Sequence, residues 1–173
     1  MTTTTMAATH DTARRARALL LDGDLRALHA LGVKLEARGL EVRAATDGHS
    51  GLELLIDELL GLDVLVVDLD LPGRDGAAML ELIRRAGGER DLAVVVLASL
   101  AGRGLRARLA ALGADAVVDR ADGPGAVVEA VERLLAWRVA AAAGLEGVGA
   151  RVAEEPWGAL ESPMVFEPVF LAA

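Results

Sequence analysis

Short apolar runs alternate along the chain with longer segments of helical periodicity. Four runs are apolar at every position, and a weaker fifth run alternates apolar with polar side chains. Runs of strand length that are apolar on both faces are typical of buried parallel strands, whereas alternation favours a half-exposed edge strand. Buried strands are therefore predicted at residues 18–21, 64–67, 93–97 and 116–118, and an edge strand at residues 40–44.

Each predicted strand is followed by a helix, because apolar side chains recur there at spacings of three and four residues. A β-α unit repeated five times predicts an α/β fold: a flavodoxin-like (βα)5, doubly wound parallel sheet with strand order 2-1-3-4-5. Glycines follow the helices at 39, 61, 87, 88 and 113, where they are typical caps. The apolar positions that share a helix face are Leu28, Leu31 and Leu35; Leu52, Leu55, Ile56 and Leu59; Met79, Leu82 and Ile83; Leu105, Leu109 and Leu112; and Val127, Val131 and Leu134.

The chain is long enough for one such domain with short flanking segments, at 173 residues. Residues 1–15 are rich in threonine and are predicted to form a flexible lead. Residues 16–142 are predicted to form the domain. Residues 143–173 combine proline and glycine with an acidic charge balance, and we expect them to be a short C-terminal extension.

Composition narrows the classes of function. The formal net charge is -8, which argues against general nucleic-acid binding because that activity needs a basic face. The chain has no cysteine, so disulfides and thiolate metal sites are excluded. No apolar run approaches the ~20 residues that span a bilayer, and we therefore expect a cytoplasmic protein without a membrane span.

Acidic residues follow the first and third predicted strands. Asp22 and Asp24 come after the first strand, and Asp68 and Asp70 come at the end of the third. These two strand ends meet at one crevice in the predicted topology. Clustered carboxylates favour a hard cation such as Mg²⁺, and a carboxylate beside Mg²⁺ can attack phosphorus. The alternative is that each aspartate only caps a helix or forms a turn.

Three segments resemble the receiver domain of two-component response regulators. Residues 18–24, ALLLDGD, resemble the opening strand and its acidic cluster. Residues 63–76, DVLVVDLDLPGRDG, resemble the phosphoacceptor strand and its LPGxxG loop, and residues 111–116, ALGADA, resemble the turn before the fifth strand. The resemblance covers about residues 17–137 and implies a signalling module, not an enzyme.

The resemblance also implies a role for each acidic position. Asp68 falls on the phosphoacceptor, and Asp22 falls on the first acidic position of the metal site. Asp70 would lend its backbone carbonyl to the metal. Receivers have a second acid directly after the first, as a metal ligand, and here that position is Gly23. Asp24 lies one residue further along and is no assured substitute.

Three further switch positions depart from the family. The Thr or Ser that bonds the phosphoryl group after the fourth strand is Ala98, and Ser99 follows it. The family has a Lys-Pro pair after the fifth strand, and here the lysine position is occupied by Arg120. Arginine presents a flat guanidinium fork where lysine presents a point charge. The aromatic switch position is Val117. These losses favour a pseudo-receiver with weak or no phosphorylation switching and weak Mg²⁺ affinity.

Two further groups are candidates for partner docking. Arg103, Arg106 and Arg108 lie on or just before the fourth helix, and receivers signal, and form homodimers, through the fourth helix, fifth strand and fifth helix. The alternative is an ordinary solvated face. Phe166 and Phe170 form an apolar patch in the acidic extension, which is either a docking motif or a segment that packs on the fold or ends loosely.

The first functional hypothesis is a stand-alone signalling module that works by contact with protein partners, a histidine kinase or a downstream signalling protein. The alternative is a conventional response regulator that accepts a phosphoryl group on Asp68 with Mg²⁺. A third hypothesis is a small flavodoxin-like enzyme or nucleotide binder. The sequence argues against it, because no glycine-rich phosphate loop follows the first predicted strand.

Overall fold

The computed structural model describes residues 14–58, 61–73, 76–87, 92–99 and 104–142. In chain order these residues form five strands, each followed by a helix, as the hydrophobic pattern predicts. The elements are β1 (Arg17–Leu21), α1 (Leu25–Glu36), β2 (Glu41–Ala45), α2 (Gly48–Glu58), β3 (Val64–Asp68), α3 (Gly76–Gly87), β4 (Ala93–Ala98), α4 (Leu105–Ala111), β5 (Ala116–Asp119) and α5 (Gly123–Ala142).

All five strands are parallel and lie in the order β2-β1-β3-β4-β5. The predicted flavodoxin-like topology is therefore confirmed. β3 and β4 are buried at every position, and β2 is an edge strand with a mostly exposed surface. A 3₁₀ turn, Arg120–Asp122, joins β5 to α5.

The sheet separates two hydrophobic layers, because successive side chains of a strand point to opposite faces. Ala18 and Leu20 of β1 face the layer formed by α1 and α5, and Leu19 and Leu21 face the layer formed by α2, α3 and α4. This arrangement explains why the central strands are apolar throughout, since neither face meets water.

Two predicted helix faces are wrong at one position each. Ile56 is 68% exposed because the buried side of α2 is centred on Gly51 and Leu55, and Ile56 is turned about 100° away from Leu55 around the helix. Leu82 is 37% exposed, and Leu80 takes its place in the core of α3. Leu59, which was assigned to the same face as Leu55, lies outside the described residues.

The flanking segments fall largely outside the described part of the chain, which begins at Arg14 and ends at residue 142. Arg14 belongs to the predicted lead, and its guanidinium donates to the Gly61 carbonyl at 2.9 Å and to the Asp63 carboxylate at 2.8 Å. Among the described helices, none is long and apolar enough to cross a membrane.

Candidate functional site

Asp22 and Asp68 meet at the carboxyl edge of the sheet. β1 and β3 are neighbours, and Leu21 is paired with Val67, so the next residue of each strand reaches the same edge. Asp22 is 4% exposed and Asp68 is 3% exposed, and they are the buried charged residues of the described chain. The two acidic strand ends therefore converge at one edge of the sheet, as the topology predicts.

Arg120 lies between the two aspartates and binds both. Its Nη2 atom donates to Asp22 Oδ2 at 3.1 Å and forms an ion pair with Asp68 Oδ2, and its Nε atom donates to Asp68 Oδ1 at 3.2 Å. One hydrogen bond and one ion pair thus join the guanidinium to Asp68, and a second hydrogen bond joins it to Asp22. We call these three residues the acidic pocket.

Charge in the acidic pocket is compensated only in part, since two buried carboxylates share one cation. Burial lowers the pKa of Arg120, but the hydrogen bonds and charges of Asp68 and Asp22 outweigh that effect, so this pKa is raised above its ordinary value. Asp22 has a further partner, because its Oδ1 atom accepts from the backbone N–H of Asp24 at 2.8 Å. The guanidinium is thus held in place as a permanent positive charge.

Asp24 does not join this pocket but caps α1. Its Oδ1 atom accepts from the backbone N–H groups of Arg26 at 2.8 Å and of Ala27 at 3.3 Å, and the residue is exposed. The helix-capping alternative is therefore correct for Asp24. Asp22 caps no helix, but it forms a turn bond with the Asp24 N–H in addition to its bond with Arg120. Asp70 is exposed in the turn after β3, and the role of its carbonyl stays a prediction.

The loop after β3 closes over Gly23. A Cβ atom at Gly23 would lie 2.7 Å from both Cγ and Cδ of Pro72, a contact that real Cβ atoms do not make. The Pro72 carbonyl is in turn bonded by the backbone N–H of Gly48 at 2.9 Å. An acid at position 23 would therefore need the loop to move, a constraint that the pattern of the sequence did not reveal.

Gly76 is the last glycine of the LPGxxG loop, and the structure shows why glycine is needed there. A Cβ atom there would lie 2.6 Å from the Asp68 carbonyl oxygen and 2.7 Å from Leu69 Cα. Its N–H donates to the Leu69 carbonyl at 3.1 Å. Only glycine allows α3 to begin this close to the end of β3.

The two remaining predicted switch positions, Ala98 and Val117, point into the core. Ala98 is 0% exposed and Val117 is 6% exposed, and both belong to the layer formed by α2, α3 and α4. Ser99 is exposed just beyond β4. In the described chain, Arg120 donates a hydrogen bond to the Asp68 side chain and forms an ion pair with it.

The arginines assigned to partner docking are not equivalent. Arg106 is partly buried, and its guanidinium donates to the Val117 carbonyl of β5, whereas Arg108 is exposed on α4. Arg103, Phe166 and Phe170 lie outside the described residues.

The residues present do not fit a receiver-type Mg²⁺ site. Both buried carboxylates are engaged by Arg120, and Gly23, where the resemblance predicts a further acidic ligand, has no side chain and lies against Pro72. Searched over the described chain, no group of three or more histidine, cysteine, aspartate or glutamate residues is placed to hold a metal ion.

A five-stranded parallel α/β sheet with paired aspartates at its carboxyl edge defines a receiver-like protein. The family described as "Response regulator receiver domain" matches residues 18–132, and the chain belongs to this family of two-component signalling modules.

Curated relatives share the receiver segment. The chain is 36% identical over 84 residues to the transcriptional activator protein PfeR of Pseudomonas aeruginosa, covering 49% of this chain and 26% of that protein. It is 32% identical over 84 residues to the DNA-binding dual master transcriptional regulator RpaA of Synechocystis, covering 49% of this chain and 34% of that protein. The chain therefore spans about a quarter to a third of these relatives.

Solved structures agree on the fold. A putative response regulator from Chloroflexus aurantiacus matches with a TM-score of 0.63 and 25% identity, over 71% of this chain and 99% of that chain. The CheX-CheY-BeF3-Mg+2 complex from Borrelia burgdorferi matches with a TM-score of 0.65 and 18% identity, over 72% of this chain and 92% of that chain.

Proposed function

We propose that this receiver is a pseudo-receiver, a cytoplasmic signalling module that is not an enzyme. It works by contact with protein partners, with weak or no phosphorylation switching. The observation that carries the proposal is the arginine bridge: Arg120 engages Asp68 through two nitrogen atoms and also binds Asp22.

The bridge opposes phosphoryl transfer because Arg120 contacts both oxygen atoms of Asp68: it donates a hydrogen bond to Oδ1 and forms an ion pair with Oδ2. A carboxylate must turn a lone pair toward phosphorus to act as a nucleophile, so these bonds would have to loosen first. A metal ion would have to compete with a guanidinium that is already charged and already in place. With Gly23 in the position of a ligand, we propose that Mg²⁺ affinity is weak.

The second support is the lack of a route from the pocket to the signalling surface. Ala98 has no hydroxyl group to bond a phosphoryl group, and Val117 has no ring to rotate. A modified Asp68 would therefore have little to move on α4, β5 and α5. That surface, with Arg106 and Arg108 of α4, is our proposed site of constitutive protein contact or of a homodimer.

A conventional response regulator is the second candidate, and the preserved aspartate pair favours it. Asp22 and Asp68 converge as receivers require, and Arg120 keeps a positive charge where the family has lysine. In this alternative a histidine kinase would transfer a phosphoryl group to Asp68 with Mg²⁺.

Treatment of the full chain with beryllofluoride or acetyl phosphate and Mg²⁺ separates the two. We expect little change in the amide NMR spectrum and no added phosphoryl mass on wild type. A conventional receiver that binds beryllofluoride and Mg²⁺ serves as the positive control for detection, and the variant Arg120→Lys/Ala98→Thr shows how much response two restored family residues return while position 23 is still glycine. A clear spectral shift of the wild type that Asp68→Asn abolishes would refute the pseudo-receiver.

A further inference from the structure

Within the described residues, the outer edge of β2 pairs with no other strand and lies in an open groove. β2 is the edge strand, and α1 and α2, which pack on opposite faces of the sheet, both line a groove of about 720 Å³ beside it. Because the walls come from the two faces and the floor from β2, the groove lies where a sixth strand would extend the sheet.

The backbone of β2 is prepared for that pairing. The N–H of Glu41 donates to the Ala16 carbonyl at 2.9 Å, and the Ala45 carbonyl accepts from the N–H of Asp22 at 3.2 Å. These bonds show that the backbone N–H and C=O groups of residues 41, 43 and 45 point toward β1. In a parallel ladder alternate residues point their backbone groups to opposite sides, so Val42 and Ala44 present theirs to the groove.

The side chains of the groove combine apolar walls with an acidic rim. Leu25 is 69% exposed and Val33 is 52% exposed, and both lie on α1. Glu36 of α1 and Glu53 and Asp57 of α2 contribute three carboxylates. An extended segment that alternates basic with apolar side chains would match both features, with main-chain bonds for affinity and side chains for specificity.

Charge argues against the two occupants that the chain itself could supply. A second copy would bring the same carboxylates to its own β2, and like charges facing each other are unfavourable. Residues 143–173 carry five glutamates against Arg151 alone, so they are repelled by the same rim.

We propose that this groove binds an extended, basic segment of a protein partner, which adds as a strand beside β2. The acidic pocket has no part in this contact, so the proposal stands or fails independently of phosphorylation at Asp68.

A synthetic peptide of alternating lysine and valine, about ten residues long, is the probe for the full chain. Its binding should shift the amide signals of residues 42, 44 and 46 and protect them from hydrogen exchange. A peptide of alternating glutamate and valine is the control. We expect that control to bind at least roughly tenfold more weakly, because the rim repels it.

Two variants test the two halves of the argument. Ala44→Pro removes an outward N–H but no bond to β1, and should abolish peptide binding. Because that variant could fold poorly, Glu36→Gln/Glu53→Gln/Asp57→Asn is the second test, with a loss of roughly tenfold expected. Glu81→Gln/Glu129→Gln/Asp122→Asn changes the charge equally outside the groove, and should change affinity by less than about twofold.

Several results would overturn the proposal. These are no binding of the basic peptide, equal binding of both peptides, and binding that is indifferent to the rim substitutions. Sedimentation that shows self-association lost in Ala44→Pro would assign the groove to a second copy. A change in protection of β2 after removal of residues 143–173, with no peptide present, would assign it to the extension.

Discussion

The two ends of the sheet each join an arginine to aspartate, but they do so differently. At the amino end, Arg84 of α3 donates to the carbonyls of Gly113 at 2.7 Å and Leu92 at 3.0 Å and to the Asp115 carboxylate at 2.6 Å. Asp115 also accepts from the backbone N–H of Val94 at 2.7 Å. We call Arg84 and Asp115 the amino-end clamp. In the acidic pocket, by contrast, Arg120 donates to two carboxylates, those of Asp68 and Asp22.

The difference separates a structural ion pair from a site. In the amino-end clamp one positive charge meets one negative charge, and the remaining bonds satisfy backbone groups of the turn before β5 and the start of β4. In the acidic pocket two buried carboxylates share one cation, so a negative charge is left over. In the amino-end clamp each charge has its own partner. In the acidic pocket two carboxylates surround one cation, as in a cation-binding site, and that cation is the Arg120 guanidinium.

The largest expected effect is the loss of that cation. Arg120→Met leaves two neighbouring buried carboxylates without their cation, and breaking a buried ion pair costs about 3–5 kcal/mol. Because the Arg120 side chain is 32% exposed, solvent screening lowers the expected loss of unfolding free energy at neutral pH to about 2–3 kcal/mol. Urea denaturation measures this loss, with Arg133→Met, an exposed arginine of α5, as the matched control. Arg120→Met/Asp22→Asn should recover part of the loss. Equal stability of Arg120→Met and the control would contradict the bridge.

The arginine bridge also determines how the stability of the fold should depend on pH. The pKa of Arg120 is raised in the folded chain, so its contribution is complete below the unfolded pKa and is lost only as pH rises through the folded pKa. Both values lie in the strongly alkaline range. The stability difference between wild type and Arg120→Met should therefore show no arginine titration between about pH 6 and about pH 10.

A smaller loss is expected when the amino-end clamp is broken. Asp115→Ala deprives the buried Val94 N–H of its acceptor and Arg84 of its ion pair, which costs about 2 kcal/mol. Asp115→Asn should lose about 1 kcal/mol, since an amide oxygen still accepts from Val94. Thermal denaturation of the two variants, with Asp122→Ala as an exposed control, checks the order. An equal loss in both would show that the charge, not the acceptor, matters.

The sequence was sufficient for the topology and for the aspartate pair. Runs that are apolar on both faces identify strands buried in a parallel sheet, and parallel strands of known order bring their carboxyl ends together. Asp22 and Asp68 therefore converge for reasons that are local to β1 and β3. The departures from the family pattern predicted at Gly23, Ala98 and Val117 could also be read directly, because each rests on the identity of a residue and not on its geometry.

Long-range contacts could not be predicted in the same way. Arg120 was identified as a replaced lysine, but its bridge spans 98 residues to Asp22 and depends on the rotamer of a long side chain. The closure of Pro72 over Gly23 depends on the path of a loop. The helix faces were wrong at Ile56 and Leu82, because the width of a buried stripe is set by the neighbouring elements and not by spacing alone.

The smallest expected loss of stability distinguishes the roles of the two aspartates that follow β1. Asp22 is buried and bonded to Arg120, whereas Asp24 is exposed and caps α1, so Asp24→Ala should cost about 1 kcal/mol and Asp24→Asn close to nothing. Chemical denaturation measures both losses, and the response to beryllofluoride and Mg²⁺ should be the same in both variants as in wild type. A response to Mg²⁺ that Asp24→Asn removes would show instead that Asp24 supplies the carboxylate that Gly23 lacks, and the acidic pocket would then resemble a conventional metal site more than an ion pair.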